Sequence, residues 1–161
     1  MYITEIDKIS FGCLKSELED YLTTVIYING VDLKRIIEGM EAEQMAKKGL
    51  NVCNGCYEGI SLFIAFHNQD HFLGKTLKDY IYQDQWYTLY DYKYSGVPGD
   101  HSLSCKITFE DQQVVWHSFK NFSKIISFDL DYNNLEFRFT KEQYLEAIET
   151  IKNDSEKNLF A

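Results

Sequence analysis

The chain has 161 residues, 45% of them apolar, with 12 Tyr and 11 Phe against nine Gly and one Pro; this fits one domain around one core and excludes a low-complexity or linker-dominated chain. Its formal charge of −9 opposes phosphate backbones, argues against a nucleic-acid partner and favours a basic protein. No apolar run approaches the roughly 18 residues of a membrane span, MYITEIDKIS carries no apolar export signal, and four cysteines without one are expected as reduced thiols in the cytoplasm.

Residues 2–9, YITEIDKI, read as a first strand, although Ile3, Ile6 and Ile9 fit helical spacing equally well. Phe11 to Asp20 reads as a polar connection. Leu22 to Ile28, LTTVIYI, is β-branched and aromatic, a strand closed by Asn29-Gly30. A helix follows: Asp32 is its N-cap, Leu33, Ile36, Ile37 and Met40 form its apolar stripe, Lys47 and Lys48 suit its dipole, and Gly49 takes the C′ position. Gly39 inside that helix costs about 1 kcal/mol relative to alanine and implies a close neighbour. Leu50 to Gly59 reads as a loop. Ile60 to Phe66, ISLFIAF, fits a central strand covered on both faces or a buried helical segment. His67 to Lys78 reads as a polar loop, Tyr80 to Tyr94 is densely aromatic, and Ser95 to Asp100 is a turn by composition.

The last third alternates most clearly. Leu103, Cys105, Ile107 and Phe109 share one strand face, a polar break at Glu110-Asp111-Gln112 follows, and QVVWHSF returns as the second arm of a hairpin. Ile126 to Tyr132 and Leu135 to Phe139 alternate around Asn133-Asn134, completing a four-strand meander. Thr140 and Gln143 form a capping box for a helix with Tyr144, Ile148 and Ile151 inward, and residues 153–161 are expected to fray. The resulting expectation is an α+β domain over 1–161: an antiparallel meander of about six strands with two packed helices. Its core should hold Leu103, Ile107, Phe109, Trp116, Phe128, Leu130, Phe137 and Phe139.

Three constellations bear on chemistry. Cys53-x2-Cys56 with His67-x3-His71 offers thiolates and imidazoles for zinc, but at a gap shorter than finger spacing and across the apolar run. The alternative leaves Cys53 and Cys56 as free thiols and Cys105, near His101, as a buried small hydrophobe. His117 and Ser118 adjoin in a strand, where neighbours point to opposite faces, so they should not pair. With no nucleophile elbow and no phosphate loop, no enzyme and no cofactor are expected. Asp129 and Asp131 share a strand face that reads as solvated. The third constellation is Lys78 to Tyr94. Tyrosine and tryptophan present large rigid bodies with a polar handle, and interleaved aspartates would meet basic residues. Strand alternation should bury about half of these rings. The partner surface is therefore assigned to Asp79, Tyr82, Asp84, Trp86, Tyr87, Tyr90, Asp91 and Tyr92.

The order YINGVDLKRIIEGME, YEGIS, SLSCKITFEDQQVVWHSFKN, LEFRFTKEQYLEAI resembles a diffuse group of small, largely uncharacterised bacterial proteins. The shared features fall at Asn29-Gly30, Glu41, Cys105, Val114/Trp116 and Phe137/Phe139/Gln143/Tyr144. Of the Cys-rich patch many of them carry before the Cys strand, only Cys105 is present. Such proteins are often encoded beside secreted polymorphic toxins and look like their immunity proteins. The resemblance implies a cytoplasmic protein that binds a basic toxin domain and occludes it. A small metal-binding or thiol-dependent protein using Cys53 and Cys56, and a general interaction module, are the alternatives.

Overall fold

The computed structural model describes residues 6–18, 20–50, 56–76, 80–83, 85–92, 102–122 and 129–159. The fold is α+β, with two antiparallel sheets in place of the expected single meander. β1 (Ile9–Lys15), β2 (Leu22–Ile28) and β3 (Val31–Asp32) form the smaller sheet in that order. The larger one contains β4 (Tyr57–Gly59), β5 (Ile81–Tyr82), β6 (Trp86–Tyr92), β7 (Leu103–Phe109), β8 (Gln113–Asn121) and β9 (Phe137–Thr140). Its order is β4-β6-β7-β8-β9, with β5 beside β6. The helices are α1 (Leu33–Lys47) and α2 (Lys141–Leu159). None among the described residues is long and apolar enough to cross a membrane.

β2, α1 and the β7–β8 hairpin follow the sequence reading. Asp32 caps α1 by accepting from the Lys34 N–H at 2.9 Å, and Gly49 ends it with φ +69°. The first strand is displaced: β1 occupies the supposed polar connection, paired with β2 from Ile9–Ile28 to Lys15–Leu22. It is an edge strand with exposed polar positions, which hides its alternation. The 60–66 segment is helical rather than extended, passing into a π-helical turn at Ile64–Asn68. Leu62, Ala65 and Phe66 point inward while Phe63 is 47% exposed, a helical rather than an alternating spacing. Asp129–Tyr132 form no strand. Asp131 instead exchanges two hydrogen bonds with the Gln44 side chain on α1, so β9 pairs directly with β8. Ile126 and Phe128 lie outside the described residues.

Leu103, Trp116, Phe137 and Phe139 are buried as expected; Ile107 and Leu130 are only half-buried, and Phe109, at the end of β7, is exposed. Trp116 is the centre of the core. Phe72 stacks on it at 5.6 Å, Phe139 meets it edge-on at 5.8 Å, and its indole N–H donates to the Tyr144 hydroxyl at 3.2 Å. Thr140 caps α2 through the Gln143 N–H at 3.2 Å. The Gln143 amide does not complete the box. It takes the Ile9 N–H at 3.0 Å and donates to the Ile9 carbonyl at 2.7 Å. Nor does the described part of the tail fray: α2 continues to Leu159 with Ser155 buried. The two sheets meet where the Thr24 N–H donates to the Ile60 carbonyl at 2.8 Å. Gly59 lies so close there that a Cβ would fall 1.8 Å from the Thr24 carbonyl oxygen.

Candidate partner-binding surface

Bulges decide how the aromatic stretch is presented. β6 carries an extra residue between Thr88 and Tyr90, and a one-residue slip moves the following side chains to the other face. Tyr90, opposite Leu103, therefore turns inward with Tyr87, which faces Cys105. It is 2% exposed, so its ring is not available to a partner, and its assignment to the binding surface is corrected. Tyr87 is half-buried against His71, and Tyr92 is half-buried against Tyr57 at 5.1 Å. Asp91 stands opposite Glu58. Tyr82, in β5, stands opposite Trp86 of β6; Asp79 and Asp84 lie outside the described residues.

Trp86 faces away from the core. Its N–H donates to the Ser118 carbonyl at 2.9 Å. The Lys106 ammonium lies 4.4 Å from its ring and that of Lys120 lies 5.5 Å away. Two ammonium groups beside one indole are the opposite of what a basic partner requires at that ring. The sequence did not reveal this, because Lys106 and Lys120 come from β7 and β8 and meet Trp86 only across the sheet.

The negative surface lies elsewhere. α2 buries Tyr144, Ala147, Ile148 and Ile151, leaving Glu142, Leu145, Glu146, Glu149, Asp154 and Glu156 exposed. Glu142, Glu146 and Glu149 follow helical i, i+3 and i+4 spacing, where like charges repel. Sequence reasoning noted the inner stripe of this helix and passed over its outer face.

Among the described residues the cysteine and histidine set does not converge. Cys56 is buried and disulfide-bonded, not the expected thiol; Cys53 and His101 lie outside the described residues. His67 is tied to Ser155 on α2 at 2.8 Å. His71 is wholly buried and binds the Thr88 carbonyl at 2.7 Å; burial pushes its pKa down to about 4. Among the described residues no three His, Cys, Asp or Glu are grouped to hold a metal ion. His117 and Ser118 do pair, against expectation: Nδ1 and Oγ are 2.9 Å apart and the Thr108 hydroxyl is 2.8 Å from Nε2. Ser118 sits at the β8 bulge with φ +56°, which cancels the alternation that should separate the two.

Two polar features lie beneath the surface. Glu41 on α1 is buried, its Oε2 accepting from Tyr57 and Tyr132 at 2.6 Å each, while Asn121 donates to the Tyr57 hydroxyl. Burial pushes the Glu41 carboxyl pKa up, opposed by the Tyr132 and Tyr57 hydrogen bonds and reinforced by Glu38. Nearby, a cavity of about 70 Å³ opens between the start of α1 and the junction of the sheets, with Thr24, Asp32, Glu58 and Tyr90 in its wall.

No protein-family model matches the chain, and comparison with curated proteins and with solved structures finds no match.

Proposed function

We propose that the protein is an immunity protein that binds a basic domain of a secreted toxin and neutralises it by occlusion. The observation that carries this reading is the exposed glutamate ridge of α2, on a chain of net charge −9. Mutually repelling carboxylates on one helix face cost the free protein stability, and a cationic surface laid against them reverses that cost. Leu145, exposed within the ridge, supplies an apolar contact. The mechanism is steric and electrostatic, with no bond made or broken. Trp86 and its lysines belong to a different surface, so the ridge replaces the aromatic stretch as the main contact. The test is co-expression with the product of the adjacent upstream gene. Cells are expected to survive that product only with this protein present, and the two to co-purify. Glu146→Lys with Glu149→Lys should leave the fold intact and slow association at least about tenfold. A neighbour that is harmless alone refutes the reading.

A further inference from the structure

Thr108, His117 and Ser118 form a hydrogen-bonded row on the larger sheet that serves neither the core nor the α2 ridge. The imidazole lies between two exposed hydroxyls, with Ser118 Oγ 2.9 Å from Nδ1 and Thr108 Oγ1 2.8 Å from Nε2. When Nε2–H donates to Thr108, Nδ1 keeps its lone pair for the Ser118 hydroxyl proton, which is the arrangement of a base beside a nucleophile. The backbone is bent to achieve it. Of the non-glycine residues with positive φ among the described ones, Asn29, Gln83, Asn133 and Asn134 sit in turns, and only Ser118, at φ +56°, lies within a strand. Glycine suits such a bulge position best. A serine there keeps the strain and gains a hydroxyl turned to His117, and residues so held cluster at active sites. Two cations adjoin the row. Lys106 stands opposite His117 on β7, and Lys120 follows Ser118 by two residues. Both ammonium groups lie beside the Trp86 ring, whose N–H is tied to the Ser118 carbonyl. Among the described residues neither lysine pairs with a carboxylate, although the chain carries 25 acidic residues against 16 basic ones. Both are available to a negative charge brought by a ligand, and the indole to an aromatic one.

We propose that Ser118 is a nucleophile, with His117 as its base, for acyl transfer from small esters of anionic aromatic alcohols. Thr108 is a positioning residue that orients the imidazole, and Lys106 and Lys120 hold the anionic group. A bond forms between Ser118 Oγ and the acyl carbon, the bond from that carbon to the leaving oxygen breaks, and the hydroxyl proton passes through His117 Nδ1 to the leaving oxygen. Water then enters by the same route, restoring Ser118 and releasing the acid. The activity is independent of the binding function above. It is tested on the full chain with o-nitrophenyl acetate and with the same ester carrying a ring carboxylate meta to the acetoxy group. Nitrophenolate release is followed, and the acylated peptide is located by mass spectrometry. The acetyl group should appear on Ser118, and the carboxylated ester should react severalfold faster at low concentration. Ser118→Gly suits the backbone, so its melting temperature should hold or rise while the acetyl group no longer appears. His117→Gln should slow acylation by about a hundredfold or more. Thr108→Val should move the pH profile of acylation, which a merely structural role would leave in place. Lys106→Gln with Lys120→Gln should raise KM severalfold for the carboxylated ester and leave the plain ester unchanged. Acetylation of lysine in place of Ser118, or release unchanged in Ser118→Gly or His117→Gln, overturns the nucleophile; equal rates with the two esters overturn the anionic substrate class.

Discussion

Burial drives the Glu41 carboxyl toward its neutral form, and two tyrosine hydroxyls hold the charged form in place. Its folded pKa is raised above the unfolded value, so its contribution to stability is complete below the unfolded pKa and is lost as pH rises through the folded one. Glu41→Gln keeps an acceptor for both hydroxyls and should be at least as stable at neutral pH, with that loss removed. Glu41→Ala orphans both and should cost about 2–5 kcal/mol in urea unfolding. His71 has the opposite sign. Its folded pKa of about 4 lies below the unfolded 6.5, so its contribution is complete above pH 6.5 and is lost as pH falls through 4. At about 1.4 kcal/mol per pH unit the loss is about 3 kcal/mol, and unfolding measured from pH 7 to 4 should show a shallower acid limb in His71→Gln. Neither role was legible beforehand. Glu41 reads as one more charge at the acidic end of a helix, and His71 as half of a metal pair, because their partners Tyr132 and Thr88 lie far away in the chain.

Elements with one clean period were legible. α1 has a capping Asp32, an apolar stripe and a terminal glycine, and β7–β8 has alternation around a polar break. Legibility failed where a residue was inserted or one face was left wet. The β6 bulge turned Tyr90 inward, the β8 bulge brought Ser118 to His117, and the edge position of β1 removed its apolar signature. A glycine at 39 implies a close neighbour, yet Gly39 is exposed and nothing lies within 4 Å of the Cβ it lacks. Its cost to α1 is therefore uncompensated. Gly39→Ala should stabilise the protein by about 0.5–1 kcal/mol, read as a higher urea midpoint at unchanged slope.

At the scale of the whole molecule, composition announced the acidity without its distribution. The glutamates of α2 form one surface, and the Trp86 face of the larger sheet carries Lys106 and Lys120. A chain count of charge cannot separate two such faces. If the α2 ridge meets the partner, raising salt from about 0.05 to 0.5 M shortens the screening length severalfold and should slow association by roughly tenfold or more. The dissociation rate, set by contacts already desolvated, should change little. Stopped-flow mixing with the purified partner measures both; a salt-independent association rate would remove the ridge from the interface. The split into two sheets was not legible either. The sheets meet at the close approach of Gly59 to Thr24, a contact between backbones that no side-chain pattern records.

The Gln143 amide holds the Ile9 backbone from both sides across 134 positions of chain. Closing so long a loop is entropically dearer than closing the hairpin of β7 and β8, and hairpins form within microseconds. So distant a contact is expected to form after that hairpin. β1 is held by β2 and by Phe11, whose ring meets Phe66 at 5.0 Å and Phe72 at 4.9 Å; the clasp fastens the same strand to α2. In the native protein the same clasp is a latch against opening, since contacts made after the rate-limiting step govern how fast a chain comes apart rather than how fast it assembles. The clasp thus helps to set how fast this fold opens, and it sits on the helix that carries the glutamate ridge, next to Glu142.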